Sequence, residues 1–433
     1  MAVNESTGIA ATAVARVGKY RWSIIALLFF ATTVNYIDRT MLGLLKPQLS
    51  GELGWTENDY GNIVTAFQAA YALGFLLMGW LVDRFGPKIG YAIAISIWTV
   101  GHVAHGFASS VVAFMAARVV LGVGEAGHFP SVVRASSEWF PQKERAYAIG
   151  WVNSATTIGV ILTAPTLWIF MTWMGFGWRE TFIYTGIFGV VLLALWLWWY
   201  KNPRDANCAV SDGELAWIEH DPPEAIEKIG WGRVVRKREA WAFASAKFLT
   251  DPVWFLMLFW LPSYFTTTYD VDLKVVLLPM IVMYLLSDVG SIAGGWMSSK
   301  LIERGRTPNF ARKVTMLLAG CCVLPLLFVT GLDNMWVAVV LIGIALAGHQ
   351  AFSSNLLSLP PDMFPKRAVG SVIGLGGFAG GVGGMIMAKS TGLVLDATKG
   401  NYTMIFAACT VTYFIAVAVI HLLSPKLTRI EVA

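Results

Sequence analysis

Two charged residues lie seven positions apart in an otherwise apolar stretch, Arg118-Val-Val-Leu-Gly-Val-Gly-Glu125, and residues 89–117 before it contain no Asp, Glu, Lys or Arg. On a helix this spacing places both side chains on one face, about 10 Å apart along the axis. Each charge costs about 2.5–3.5 kcal/mol at a bilayer centre on insertion scales. We therefore expect both to face a protein interior or a wet cavity. The alternative is a structural ion pair or a wrongly placed span end.

A second pair of charges, Asp38 and Arg39, lies in the first apolar run of the chain. A guanidinium can bind a carboxylate through two parallel hydrogen bonds, so Arg39 and Arg118 are candidate anion ligands. Burial favours the neutral form of a carboxyl group and a nearby Arg favours the anion, so an acid between these influences can take up and release protons. Asp38 and Glu125 are therefore candidate proton carriers. A permanent ion pair between Asp38 and Arg39 is the alternative.

The composition is that of a polytopic membrane protein. The 433 residues are 56% hydrophobic and 14% charged, with a mean hydropathy of +0.61, whereas soluble proteins have about 25% charged residues. The net charge of +5 comes from basic residues between apolar segments and does not indicate nucleic-acid binding. The four cysteines show no Cys-x-x-Cys spacing. We expect no metal site and no cofactor.

Apolar segments long enough to cross a hydrocarbon core of about 30 Å predict an all-α fold with twelve transmembrane helices. The predicted spans are 22–45, 60–82, 88–107, 111–133, 146–169, 179–200, 246–268, 274–299, 312–331, 334–358, 367–390 and 401–424.

The basic residues between these spans predict the orientation. If the N-terminus is cytoplasmic, the opposite loops hold only Lys46, Arg179, Lys274 and Lys399. The positive-inside rule then predicts that both termini are cytoplasmic. A polar stretch at 201–245 is interpreted as a cytoplasmic linker between a six-helix half at 1–200 and another at 246–433. Within the linker, Ser211-Asp-Gly-Glu214 has the spacing of a capping box.

A weak internal repeat supports this division. Gly79-Trp-Leu-Val-Asp83-Arg84-Phe-Gly86-Pro87-Lys88 follows the second span, and Gly295-Trp-Met-Ser-Ser299-Lys300-Leu-Ile-Glu-Arg304 follows the eighth. Two such halves are typical of parallel-repeat secondary transporters, whose substrate site lies at the interface of the halves near the midplane.

These residues carry a resemblance to a known family. The Gly79–Lys88 segment resembles the signature between spans two and three of the major facilitator superfamily, although Pro87 stands where a basic residue is usual. The chain is similar, more narrowly, to the anion:cation symporter family and within it to bacterial hexuronate transporters. This narrower likeness is carried by 35–39, by Arg118-x3-Gly122-x2-Glu125, by Ser137-Glu138-Trp139-Phe140-Pro141-x2-Glu144-Arg145, by 200–205, by Phe248-Leu-x-Asp251-Pro252-x-Trp254 and by 347–351.

The resemblance implies a proton-coupled symporter that imports a sugar acid, with Asp38 and Glu125 at the proton-coupling positions. Such an anion carries many hydroxyl groups, so its carrier also needs neutral hydrogen-bonding groups. The candidate substrate-binding residues besides Arg39 and Arg118 are Tyr36, Gln68, Tyr71, Asn153 and Thr156 in the first half and His349, Gln350, Ser353 and Asn355 in the second. The second-half residues cannot all face one cavity, and single Ser and Thr side chains in spans often bond their own backbone.

Three histidines and a set of surface charges complete the candidates. His102 and His105 lie toward the outer end of span three, and we interpret both as structural; a proton-relay role for His128, one turn after Glu125, stays open. Charge pairs between spans two, four and five are expected to act as a cytoplasmic gate, formed by Asp83, Arg84, Arg134, Glu138 and Arg145.

The sequence therefore predicts a monomeric carrier of the bacterial inner (plasma) membrane, with a sugar acid, protons and lipid as its partners and no enzymatic activity. A carrier of another organic anion, such as an aldonate or aromatic acid, is one alternative. A polytopic membrane enzyme or a passive channel is the alternative from another class. Whether Arg118 contacts the substrate or only tunes Glu125 stays open.

Overall fold

The computed structural model describes residues 18–140, 142–206, 210–219, 231–364 and 366–428, which are helical and contain no strand. Ten helical segments within these ranges are long and apolar enough to cross a membrane. The other two predicted spans correspond to α1 (Tyr20–Leu53) and to the second part of α2 (Glu57–Ala104). The predicted all-α polytopic fold is confirmed.

The other helices follow in chain order. The first half continues with α3 (Val111–Glu125), α4 (His128–Trp139), α5 (Gln142–Leu167) and α6 (Trp178–Trp199). Two short helices, α7 (Asp212–Ile218) and α8 (Trp231–Val234), precede the second half. The second half comprises α9 (Arg238–Tyr269), α10 (Leu273–Glu303), α11 (Pro308–Cys321), α12 (Leu326–Val329), α13 (Met335–Leu356), α14 (Leu359–Met363), α15 (Lys366–Ala397) and α16 (Thr403–Leu423).

Helix α2 contains two of the predicted spans with no loop between them. The helix bends at Gly86, whose φ of 76° and ψ of 166° are accessible mainly to glycine. Pro87 follows and has no backbone N–H group. At this position the bend therefore leaves no N–H donor without a hydrogen-bond partner.

The expectation that Lys46 lies in a loop is wrong. Helix α1 continues to Leu53 and ends at Gly54, which adopts a left-handed conformation with φ of 68°. Lys46 is therefore a helical residue, and only 1% of its surface is exposed. The apolar run ended at this charge, but a buried charge with a partner does not end a helix.

Close backbone packing holds α3 against α2. A Cβ atom on Gly124 would lie 2.3 Å from Trp98 N, and one on Gly101 would lie 2.4 Å from Leu121 N. Only small residues allow such an approach between membrane helices. The packing fixes the position of α3, which carries Arg118 and Glu125.

The segment between the halves is attached to the start of α1. Ser211 caps α7 by accepting a hydrogen bond from Glu214 N, as the capping box predicts. The Glu214 carboxylate, however, accepts from Tyr20 N at 3.2 Å and Arg21 N at 3.0 Å. It therefore caps α1 instead of its own helix.

Candidate functional site

Four buried charges from α1 and α3 meet inside the first half. The exposed fraction of Asp38, Arg39, Arg118 and Glu125 is 2% or less. Arg39 Nε donates to Glu125 Oε2 at 2.7 Å, and Arg118 Nη1 donates to the Arg39 carbonyl oxygen at 3.3 Å. The two Arg and two carboxylates balance in charge, which reduces the cost of burying them.

Aromatic rings surround the Arg39 guanidinium. Its Cζ lies 4.8 Å from the Tyr36 ring centroid, 4.6 Å from that of Tyr71 and 5.6 Å from that of Phe67. These distances allow cation–π attraction. The rings hold the guanidinium in place, and two of them carry hydroxyl groups that can bind a polar ligand.

Arg118 is less completely paired. Its Cζ lies 5.4 Å from the Phe67 ring and 6.0 Å from the ring of Phe259 on α9. Its Nε and Nη2 are buried and have no hydrogen-bond partner among the described residues. These donors are available to an anion or to water, because buried polar groups without partners are costly.

Asp38 faces a histidine rather than the neighbouring Arg39. His102 Nδ1 on α2 lies 3.2 Å from Asp38 Oδ1, and both residues are buried. Consecutive residues on a helix point about 100° apart, so Asp38 and Arg39 cannot meet the same partner. The structure thus places His102, interpreted as structural in the sequence, in contact with a candidate proton carrier.

The other first-half candidates have different surroundings. Gln68 is fully buried, and neither polar atom of its side chain has a partner among the described residues. A Cβ atom on Gly384 of α15 would lie 3.1 Å from Gln68 Cδ, so Gln68 lies where the halves meet. Thr156 Oγ1 donates to the carbonyl oxygen of Asn153, which is itself exposed. Thr156 is therefore bonded to its own helix.

The second-half candidates divide between two places. His349 is buried, with Nδ1 2.7 Å from the Tyr413 hydroxyl and its ring stacked on Trp254 at 5.4 Å. Asn355 lies further along α13, where Nδ2 donates to Gly294 O at 3.1 Å and Oδ1 accepts from Arg312. Its partners are backbone and structural groups. Both Gln350 and Ser353 are half-buried.

An ion pair on α9 was missing from the sequence-derived candidates. Lys247 Nζ lies 2.6 Å from Asp251 Oδ2, with 15% and 18% of the side chains exposed. Asp251 interacts electrostatically with Tyr36 and Tyr71 of the first half, and Lys247 with His349. The available signal was a Lys and an Asp four residues apart at the start of a predicted span, a spacing that pairs side chains on one helix face.

Of the proposed gate residues, Arg134 and Glu138 lie in the second part of α4 and Arg84 lies in α2. Arg134 Nε donates to Glu138 Oε1 at 3.0 Å, and Glu138 Oε2 accepts from the Tyr200 hydroxyl at 3.0 Å. Arg84 lies 5.3 Å from the ring of Trp80, on its own helix. The side chains of Asp83 and Arg145 lie outside the described residues.

The halves are joined by polar contacts at the opposite end of the bundle, which we name the Gly54 end after the turn between α1 and α2. Lys46 Nζ donates to Ser263 Oγ of α9 at 2.7 Å and pairs with Glu57. The Asp396 carboxylate of α15 accepts from Glu57 N at 2.9 Å and Asn58 N at 2.8 Å, and so caps α2 from the other half. These contacts close the Gly54 end.

The comparison with protein families agrees with this architecture. The sequence profile of the Major Facilitator Superfamily matches residues 28–388. The hexuronate transporter of Escherichia coli (strain K12) is 30% identical over 422 residues, which cover 95% of this chain and 96% of the relative. The D-galactonate transporter of Escherichia coli O6:H1 is 29% identical, with 95% and 96% covered.

A solved structure shows the same fold. The inward-open xylose transporter XylE from E. coli superposes with a TM-score of 0.72 at 15% identity, covering 94% of this chain and 96% of that one. The profile match and the full-length relatives together establish that the chain belongs to the major facilitator superfamily of membrane transporters, and resembles its anion:cation symporters.

Proposed function

We propose that this protein imports a sugar acid anion, a hexuronate such as glucuronate or galacturonate, together with protons, by alternating access across the bacterial inner membrane. The observation that carries the proposal is the 2.7 Å hydrogen bond between Arg39 and Glu125 within a buried aromatic surround. In this arrangement a protein carboxylate holds the guanidinium that a substrate carboxylate would need. Protonation of Glu125 would release Arg39, which couples proton uptake to anion binding.

The remaining groups suit the rest of the substrate. The hydroxyls of Tyr36 and Tyr71 lie beside Arg39, and Gln68 offers an unpartnered amide where the halves meet. From the second half, the Lys247–Asp251 pair and His349 are further candidates, because Asp251 interacts electrostatically with Tyr36 and Tyr71, and Lys247 with His349. Hydroxyl groups of a sugar acid can both donate to and accept from such side chains. Arg118 has free donors for the anion, or for water that sets the charge on Glu125.

The moving units in this proposal are residues 1–200 and 246–433, joined by the linker at 201–245. With the orientation that the positive-inside rule predicts, the Gly54 end is extracellular. The contacts of Lys46 and Asp396 then close the outer side, and they must break for the substrate to enter. The charges at 83–84 and 134–145 would act on the cytoplasmic side.

Proteoliposomes with an imposed pH gradient test the proposal. We expect labelled glucuronate or galacturonate to accumulate above equilibrium when the outside is acidic, and not when the gradient is collapsed by an ionophore. A competition panel with galactonate and an aromatic acid identifies the preferred anion. Movement only down the concentration gradient would refute proton symport and favour a passive channel.

Variants of the two Arg residues separate their roles. Arg39→Lys keeps the charge but loses the planar donors that fit a carboxylate, so we expect substrate affinity to fall about tenfold or more. Arg306→Lys, at an exposed Arg on the loop between α10 and α11, is the matched control. If Arg118→Lys weakens binding equally, Arg118 contacts the substrate. If it changes only the pH dependence of uptake, it acts through Glu125.

A further inference from the structure

The contact between Asp38 and His102 has a geometry that assigns its protons. His102 is fully buried between α1, α3 and α6, and its two ring nitrogens face different partners. Nδ1 lies 3.2 Å from Asp38 Oδ1, and Nε2 lies 2.8 Å from Thr185 Oγ1. Both atoms are buried, and neither has a hydrogen-bond partner among the described residues, so their approach is a close N···O contact.

The Thr185 hydroxyl determines which ring nitrogen carries a hydrogen. Thr185 Oγ1 lies 2.6 Å from the carbonyl oxygen of Thr181, which can only accept. A hydroxyl has one proton, and the carbonyl takes it, so the same oxygen accepts from His102. The opposite assignment would leave two oxygen atoms 2.6 Å apart without a proton between them. Nε2 of His102 is therefore the protonated nitrogen of the neutral ring.

Nδ1 of a neutral ring in this tautomer has only a lone pair. An ionised Asp38 would then present a second acceptor to it at 3.2 Å in a site without other partners, which is unfavourable for both groups. A proton on the Asp38 carboxyl oxygen, donated to the Nδ1 lone pair, removes the conflict.

Three charged or titratable residues bear on this proton. Glu125 of α3 interacts electrostatically with Asp38, and its negative charge opposes ionisation of the Asp38 carboxyl group. Arg118 of α3 interacts electrostatically with both Asp38 and His102, and its positive charge opposes a second proton on the pair. His105 lies near His102, but its Nδ1 bonds to Gly101 O at 2.7 Å on its own helix. From α6, Phe182 contributes a ring at 5.4 Å and no charge. The pair is thus the site for a single proton.

We propose that Asp38 and His102 hold one proton between them and act as a single protonation site, with His102 as the positioning residue and Thr185 fixing its tautomer. This inference rests on the proposed proton coupling, which it refines: the site that protonates at position 38 is a carboxyl–imidazole pair and not an isolated carboxyl group.

Infrared spectroscopy of the purified full-length protein tests the proposal without requiring transport. We expect a carboxylic-acid carbonyl band that is absent from Asp38→Asn. In His102→Asn the Asn amide can donate a hydrogen bond to an ionised Asp38, but it cannot be protonated itself. The ionised carboxylate is therefore favoured, and the pH midpoint of this band should move about one unit to lower pH. Thr185→Val frees the ring to adopt the other tautomer and should move the midpoint in the same direction by less.

His105→Asn is the matched control, and its band should titrate as in wild type. A band with an unchanged midpoint in both His102→Asn and Thr185→Val, or no band that depends on Asp38 at any pH, would overturn the proposal. If His102→Asn does not fold, Thr185→Val carries the test. A further outcome is that wild type fails to accumulate glucuronate while the band still shifts in His102→Asn and Thr185→Val. That result would refute proton symport but would still support the shared proton.

The same variants give a second readout in proteoliposomes. The pH midpoint of uptake should shift with the band in His102→Asn, while substrate exchange at acidic pH on both sides stays within about threefold of wild type, since a positioning residue does not bind the anion. Equal loss of exchange and uptake, with the band unmoved, would indicate a merely structural role.

Discussion

Arg39 of α1 and Glu125 of α3 are hydrogen-bonded to each other: Nε of Arg39 lies 2.7 Å from Oε2 of Glu125. A charge-assisted hydrogen bond of this length is among the stronger interactions available to a buried Arg. A substrate carboxylate must therefore compete with Glu125 for the same guanidinium. This competition is the physical basis for coupling in the proposed mechanism.

Glu125→Gln should separate transport from the proton gradient. The amide resembles the protonated acid in shape and charge, so Arg39 is released permanently and no proton is taken up at this position. We expect exchange of labelled for unlabelled glucuronate to persist within about threefold of wild type, and accumulation driven by a pH gradient to fall at least about tenfold.

Counterflow and gradient-driven uptake, measured on the same proteoliposomes, check this result. Glu303→Gln removes an exposed carboxylate that pairs with Lys300 and should leave both activities unchanged. Gradient-driven accumulation that survives in Glu125→Gln would assign coupling to another group.

Asp396→Asn should weaken closure at the Gly54 end. The carboxylate receives two backbone N–H groups at the start of α2, where an anion is favoured by both hydrogen bonding and the helix dipole. The amide keeps the size but loses the charge, so we expect the closed arrangement to lose about 1 kcal/mol.

Spin labels on the exposed residues Gly51 and Lys399 can report this change as a population shift toward longer distances. Asp333→Asn, an exposed residue on the loop before α13, is the control and should leave the distances unaltered. A distance distribution identical in Asp396→Asn and wild type would show that this cap does not hold the Gly54 end closed.

Glu214→Gln should lower the stability of the whole protein, although the residue lies in the linker. It removes a charged cap from Tyr20 N and Arg21 N and an ion pair to Arg21. We expect a loss of about 1–2 kcal/mol, seen as a lower Tm in detergent. Glu219→Gln, whose pair with Arg204 is exposed, should change the Tm little. Equal effects of the two variants would contradict the capping role.

The sequence predicted which charges would be buried in the first half better than it predicted their partners. Arg118 and Glu125 were found because charges in an apolar span must be compensated. Their pairing depends on the direction of each side chain and on the depth at which α1 and α3 meet, which spacing does not encode. The sequence places His102 correctly, in the last turn of α2, but does not predict its contact with Asp38. It places Lys46 beyond the end of the first span, because a hydropathy pattern marks where apolar residues stop and not where a helix ends.

The polar candidates show the same limit. Thr156 is a candidate substrate ligand by sequence, but its hydroxyl donates to the backbone carbonyl of Asn153. Asn355 was grouped with His349, but its partners are Gly294, Ala351 and Arg312. Polar side chains in a membrane helix satisfy local backbone groups when no ligand competes, so residue type alone does not identify those that face a substrate.

Lys247 and Asp251 provide the last prediction, a thermodynamic cycle on the second half. Removing one partner leaves a largely buried charge unpaired, so Lys247→Met and Asp251→Asn should each destabilise the protein by about 1–3 kcal/mol. This is less than the roughly 3–5 kcal/mol for a fully buried pair, because both side chains retain some exposure. The double variant removes both charges and should recover most of that loss.

Thermal unfolding of the four proteins in one detergent measures the cycle, and glucuronate-induced stabilisation of each reports binding. If the pair faces the substrate, the double variant should recover its thermal stability but lose its stabilisation by glucuronate. If the pair is purely structural, the double variant should recover both. Additive effects of the two single variants would show that the 2.6 Å contact contributes no coupling energy. Other residues of the second half would then have to line the proposed site.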